Sequence, residues 1–165
     1  MNAAGGSRGR RGNDAEDQMA KIHIVDDDAD IRRLLSYHFI EEGHEVSVGR
    51  DGEEILQTIA NDQPDLLVLD LMMPKLDGMT VLEKMDETGM RGATRVVVLT
   101  ANSAETDRAL GLGADHYMTK PFDPKDLIEV CKELLSLSRV ELDLRRDHER
   151  VKARLMSRLD SLYGS

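Results

Sequence analysis

The sequence predicts an α/β fold: a doubly wound, five-stranded parallel sheet with five helices, followed by an extended C-terminal helix. Three observations predict it. Short apolar runs alternate with amphipathic segments five times in roughly 115 residues, the pattern of strand–helix units that build a parallel sheet. The run Leu66-Leu67-Val68-Leu69 is apolar throughout, as a strand covered on both faces requires. Beyond the last unit, no Gly or Pro occurs from Lys125 to Tyr163, a longer uninterrupted stretch than one domain helix needs.

Residues 1–20 are rich in Gly, Arg, Asn and Asp and nearly devoid of large apolar side chains, so they are expected to form a disordered arm. Arg8, Arg10 and Arg11 there are offset by Asp14, Glu16 and Asp17. Lys21 to Val25 reads as the first strand and runs into Asp26-Asp27-Asp28, where Asp28 can cap the next helix. That helix extends to about Glu42, with Ile31, Leu34, Leu35 and Phe39 at helical spacing and Gly43 as its stop. His44 to Val48 is a second, shorter strand. Asp51 and Glu54 have capping-box spacing and open a helix that carries Ile55, Leu56 and Ile59.

Leu66 to Leu69 is the third strand. It ends at Asp70, and Pro74 prevents its simple continuation. A helix with Met79, Val81, Leu82 and Met85 follows. Arg95 to Leu99 is the fourth strand, ending at Thr100. A weakly apolar helix covers about Ser103 to Leu110. Asp115 to Met118 is a short fifth strand that leads to Lys120-Pro121. Asp123-Pro124 is a cap followed by proline at the first helical position, and the fifth helix carries Leu127, Ile128, Val130, Cys131, Leu134 and Leu135.

Composition narrows the function classes. The chain has 165 residues and 40% hydrophobic content, enough for one domain with a real core. No apolar run approaches the roughly 20 residues that span a bilayer, and the N-terminus lacks the apolar segment of a secretory signal, so a cytoplasmic location and no membrane partner are expected. The single cysteine, Cys131, reads as a small buried hydrophobe and suits a reducing compartment. Residues 21–138 carry 24 acidic and 12 basic side chains, an acidic body that argues against direct nucleic-acid binding. Residues 139–165 carry 5 acidic and 7 basic side chains, interleaved in sign. The five histidines are scattered, and none pairs at ligand spacing.

In a parallel sheet all carboxyl ends share one edge, which is where open α/β sheets place their ligands. The first strand then delivers Asp26 and Asp27, the third Asp70, the fourth Thr100 and the fifth Lys120. Two carboxylates about 4 Å apart repel by about 4 kcal/mol at an effective dielectric near 20, so such a cluster requires cations. Lys120 can supply one. A hard divalent ion held by oxygens can supply the other, and the donor set suits Mg²⁺.

This constellation resembles the receiver domain of two-component response regulators, the CheY-like family. The matching words are Ile24-Val25-Asp26-Asp27-Asp28, Leu69 to Pro74, Leu76-Asp77-Gly78, Val98-Leu99-Thr100-Ala101 and Lys120-Pro121-Phe122. The resemblance implies a flavodoxin-like sheet of order 2-1-3-4-5 over residues 21–137. It implies that Asp70 accepts a phosphoryl group from a histidine kinase or phosphotransfer protein. Asp27, Asp70 and the main-chain carbonyl of Met72 would hold Mg²⁺, with Asp26 acting mostly through water. Thr100 and Lys120 would each take a phosphoryl oxygen, Tyr117 would be the aromatic switch, and the Lys120–Pro121 bond would be cis. Met72 and Asn102 occupy positions that modulate self-dephosphorylation in the family. A receiver of this kind is no enzyme in the usual sense, because it assists only its own phosphorylation and dephosphorylation.

Residues 138–165 form the third segment. Ser138 and Glu141 can form a capping box, so a new helix is expected there. Val140, Leu144, Val151, Leu155, Leu159 and Leu162 lie near one face, interrupted by Asp147 and His148. A helix over residues 139–162 would extend on the order of 36 Å. It can fold back on the body or pair with a second copy, and the spacing of threes and fours favours a coiled-coil homodimer. The leading functional reading is a phosphorylation-controlled protein whose output is carried by contacts with a downstream protein. An alternative is a piece of a longer regulator, with the tail as linker helix to an output domain. A third, an aspartyl-phosphate hydrolase of the haloacid dehalogenase type, would use Asp26 and Asp28, but no later acidic pair supplies its metal.

Overall fold

The three central strands form where β-branched and leucine side chains are covered on both faces, and the two edge strands stay partly exposed. In the computed structural model, which describes residues 19–73, 75 and 77–163, the elements run β1 (Lys21–Val25), α1 (Ala29–Glu41), β2 (Glu45–Gly49), α2 (Gly52–Asp62), β3 (Leu66–Asp70), α3 (Gly78–Thr88), β4 (Arg95–Thr100), a 3-10 turn (Ser103–Glu105), α4 (Thr106–Gly111), β5 (His116–Thr119), α5 (Pro124–Ser136) and α6 (Arg139–Tyr163). The arm expected before residue 19 lies outside the described residues, as do Pro74 and Leu76 of the matching words. Ala20, assigned to that arm from sequence, is buried, and its carbonyl accepts the Glu45 amide, so the folded body begins with it.

The five strands are parallel in the order β2-β1-β3-β4-β5, as expected. Alternation along β3 splits the core in two. Leu67 and Leu69 pack with Ile55, Ile59, Val81, Leu82 and Met85 from α2 and α3. Leu66 and Val68 pack with Leu35, Phe39, Leu127, Ile128 and Cys131 from α1 and α5. Burial also pushes the Cys131 thiol well above its usual range, which keeps it inert. Among the described residues no helix is long and apolar enough to cross a membrane.

The caps form where the sequence placed them. Asp28 accepts the Asp30 and Ile31 amides, Asp51 the Glu54 amide, and Asp123 the Lys125 amide ahead of Pro124. Two local expectations change. Leu34 stays exposed rather than entering the core. The helix expected over Ser103 to Leu110 is reduced to a 3-10 turn and the six residues of α4. Its cap position, Glu105, makes no side-chain cap because its carboxylate accepts the Thr100 hydroxyl instead.

The tail begins as expected. Leu137 is extended, the Ser138 amide and hydroxyl donate to Glu141 Oε2 at 2.8 and 2.7 Å, and the Glu141 amide donates back to Ser138 Oγ. Its course is divided. The first half of α6 folds back against the body, the outcome less favoured from sequence. Leu142 is buried among the α5 side chains, and Arg146 reaches a buried carboxylate, Asp115. Arg146 Nε donates to Asp115 Oδ1 at 2.8 Å, and its Nη2 donates to the Thr94 carbonyl at 2.8 Å. Asp115 also pairs with buried Arg91 and accepts the Val96 amide at 2.7 Å. Burial lowers the Arg91 guanidinium to about 10 despite this carboxylate, and the Arg146 charge adds to the effect. Arg150 pairs with Asp86 at the end of α3. From Val151 onward every described side chain is exposed.

This docking should contribute measurably to stability. Leu142→Ala should cost about 2–5 kcal/mol through the cavity it leaves. Arg146→Ala should cost ~3 kcal/mol by leaving Asp115 one partner short. Urea unfolding should show both lowered midpoints. Hydrogen exchange should lose protection over residues 139–150 while β1 and β3 keep theirs; unchanged midpoints would show that α6 is not anchored there.

Candidate functional site: an acidic pocket at the carboxyl edge of the sheet

Register brings the charged residues level. Val25 pairs with Leu69, so Asp26 follows the end of β1 where Asp70 ends β3. Asp70 pairs with Leu99, and Thr100 pairs with Thr119, so Thr100 and Lys120 stand one and two steps further along. The Lys120 amide donates to the Thr100 carbonyl at 2.8 Å, which fixes the start of the β5–α5 loop beside β4. The Lys120–Pro121 bond is cis, as expected.

The side chains converge accordingly. Asp26, Asp27 and Asp70 each offer a carboxylate oxygen within 4.8 Å of the others. Asp26 and Asp70 are buried, and Asp27 is exposed at the mouth. Lys120 Nζ donates to Asp26 Oδ2 at 2.9 Å and to Asp70 Oδ2 at 3.2 Å. The Met72 amide donates to Asp70 Oδ1 at 3.0 Å, and the Asp28 amide to Asp26 Oδ1 at 2.9 Å. The run of three aspartates thus divides its work: Asp28 caps α1, while Asp26 and Asp27 enter the pocket.

Burial raises the Asp70 carboxyl to about 6, against the Met72 hydrogen bond; the negative Asp26 adds to the rise and Lys120 opposes it. For Lys120, burial alone would lower the ammonium, but the hydrogen bond to Asp26 and the charge of Asp70 hold it above its ordinary value. One ammonium therefore serves two buried carboxylates and leaves the third uncompensated. The donor set is all oxygen, open on the Asp27 side, and short of positive charge. That fits a hard divalent cation such as Mg²⁺.

Thr100 is buried, but its hydroxyl faces the entry to α4. It lies 3.2 Å from Glu105 Oε2 and 3.1 Å from the Asn102 carbonyl, and it accepts the Asn102 amide. Tyr117 is 38% exposed and stacked on His116, with ring centroids 5.9 Å apart. Of the two residues expected to switch, Thr100 is turned toward Asn102 and Glu105, and Tyr117 is partly exposed beside His116.

Three contributors escaped the sequence reading. Arg32 Nη1 donates to the Asp26 carbonyl at 2.6 Å, and no motif announces a helix arginine in that role. Glu105 holds Thr100, again without a local signal. Gly78, inside a matching word, is required by close approach: a Cβ there would sit 2.5 Å from the Asp70 carbonyl oxygen and 2.8 Å from Leu71 Cα. Beside the pocket an open apolar cleft of about 410 Å³ is lined by Ile31, Leu34, Pro121 and Phe122, which explains the exposed Leu34.

The comparisons with known proteins agree with this geometry. Residues 22–132 match the response regulator receiver domain. The chain is 41% identical over 122 residues to the alkaline phosphatase synthesis transcriptional regulatory protein PhoP of Bacillus subtilis, covering 73% of this chain and 50% of that protein. The chain thus spans about half the length of the curated relatives it matches. The receiver domain of a Francisella response regulator superimposes with a TM-score of 0.64 at 33% identity, covering 71% of this chain and 96% of that one. The Thermotoga maritima response regulator TrrA, solved in complex with Mg²⁺ and BeF, gives 0.62 at 33%, covering 70% and 99%. With matching motifs at the ends of β1, β3, β4 and β5, the same sheet order and these likenesses, the chain belongs to the response regulators of two-component signalling and contains their receiver domain.

Proposed function

We propose that this receiver takes a phosphoryl group onto Asp70 from a histidine kinase or phosphotransfer protein and thereby switches its contacts with other proteins. The observation that carries this reading is Asp70 itself, buried at the end of β3 between two carboxylates and 3.2 Å from Lys120. Asp27, Asp70 and the main-chain carbonyl of Met72 would hold Mg²⁺, with Asp26 acting through water; the ion supplies charge neutralisation at the phosphoryl oxygens.

The chain's own residues do the rest. The Met72 amide and Lys120 orient the Asp70 carboxylate, so that one oxygen attacks phosphorus in line with the leaving group of the donor. The new bond is an acyl phosphate, and the donor's imidazole leaves with the electron pair of the broken P–N bond. Lys120 shifts one hydrogen bond to a phosphoryl oxygen. Thr100 has one hydroxyl proton, so donating it to another phosphoryl oxygen breaks its bond to Glu105. That frees the start of α4 and opens space for Tyr117 to turn inward. The apolar cleft between α1 and the Pro121–Phe122 loop offers the donor protein a surface next to Asp70. The domain assists only its own phosphorylation and dephosphorylation, in the cytoplasm, and its output passes to a downstream protein.

The second copy of the chain is a further partner in this reading. The exposed apolar stripe of α6 supports a homodimer. Sedimentation of the full chain should show a dimer, and the Val151→Ser, Leu155→Ser, Leu159→Ser triple variant should sediment as a monomer.

Incubation with acetyl phosphate and Mg²⁺ should label the wild type and Asp26→Asn but not Asp70→Asn; labelled Asp70→Asn would overturn the assignment. In chelator, Asp70→Asn should be more stable than the wild type by ~1–2 kcal/mol, because a buried charge next to Asp26 is removed. Added Mg²⁺ should stabilise the wild type by about 2.7 kcal/mol at 100 times Kd, seen as a raised melting temperature, and leave Asp70→Asn nearly unmoved. Gly78→Ala should displace the Asp70 backbone, costing ~1–3 kcal/mol in urea unfolding and slowing labelling.

A further inference from the structure

Helix α6 has two faces with different fates. Leu142, Arg146 and Arg150, at four-residue spacing, bind the body through the α5 core, Asp115 and Asp86. Val140, Leu144, Val151, Leu155, Leu159 and Leu162 remain 48–73% exposed. Two residues along a helix turn by roughly 200°, so Leu144 lies nearly opposite Leu142, and His148 nearly opposite Arg146. The docking face and the apolar seam are therefore back to back, and both can be occupied at once.

We propose that a second copy of this chain pairs with α6 along this seam, parallel and in register, while each helix stays clamped to its own receiver. The inference rests on the homodimer reading above and adds its orientation, register and the face used. Leu144, His148, Val151, Leu155, Leu159 and Leu162 follow steps of four, three, four, four and three. That is a heptad seam with one stutter, which keeps Leu159 rather than Arg158 at the interface.

Charge selects the orientation. Asp147 and Lys152 flank the seam five residues apart. In a parallel pair Asp147 of each helix meets Lys152 of the other, twice by symmetry. Within one chain, and among the described residues, Lys152 makes a 4.0 Å pairing with Glu149 as its one ion pair. An antiparallel pair on the same seam would set Arg145 opposite Arg158 and bring Lys152 beside its own counterpart, both repulsive. His148 selects the register, because a polar residue on the seam is best met by its counterpart rather than by a leucine. The clamp supplies what a short polar helix lacks alone: it holds the helix folded before pairing, so little ordering entropy opposes association.

Cysteine cross-linking and sedimentation of the full chain test this, since Cys131 is buried and inert. Leu144→Cys alone and Leu159→Cys alone should each give a disulfide dimer on mild oxidation. Asp147→Lys should weaken the dimer about fivefold, and adding Lys152→Asp should restore it. A dimer that cross-links only when the Leu144→Cys and Leu159→Cys proteins are mixed is antiparallel, which overturns the inference and leaves the homodimer standing. A monomer at every concentration overturns both. Acetyl phosphate labelling of each variant reports that the receiver is folded.

Discussion

The buried charge at the carboxyl edge of the sheet is the constraint on which the site depends. Asp26 and Asp70 are held out of water side by side, with one ammonium between them. Such an arrangement is unfavourable in itself, and only the covered sheet around it keeps it together. Every residue of β3 is buried, and Asp70 is where that strand reaches the pocket. Assembling the carboxylates leaves the pocket rich in oxygen donors and short of positive charge, the condition that a bound cation would relieve.

The same principle recurs at the opposite edge with another outcome. Asp115 is as buried as Asp70, but it has two arginines, a backbone amide and no opening to solvent. Its charge is fully answered, so it holds structure rather than performing chemistry. Through Arg146 it ties α6 to the loops that precede β4 and β5. The two aspartates are equally buried and differ in how many cationic partners answer their charge.

Between these edges lies α4, the shortest helix of the body. Its start is tied to Thr100 through Glu105, and α6 packs along it. It therefore touches both the pocket and the tail. A helix of six residues with no side-chain cap has little stability of its own, so its position follows its neighbours.

Much of the fold and most of the pocket were legible in the sequence, because they rest on local rules. Strand–helix alternation, the caps at Asp28, Asp51 and Asp123, and the Ser138–Glu141 box depend on residues close in the chain. The convergence of Asp26, Asp70 and Lys120 follows from parallel topology alone, since every strand then ends on one edge. What the sequence could not settle was which face of the tail meets the body. The apolar stripe drew the reading towards pairing, yet the helix docks by its opposite side, through Leu142 and two arginines. An arginine on a polar face looks like a solvated charge until a buried carboxylate is placed beside it, and Asp115 stands 31 residues away from Arg146. Only the tertiary structure decides such a pairing, because its energy comes from desolvation shared between distant segments rather than from any local pattern.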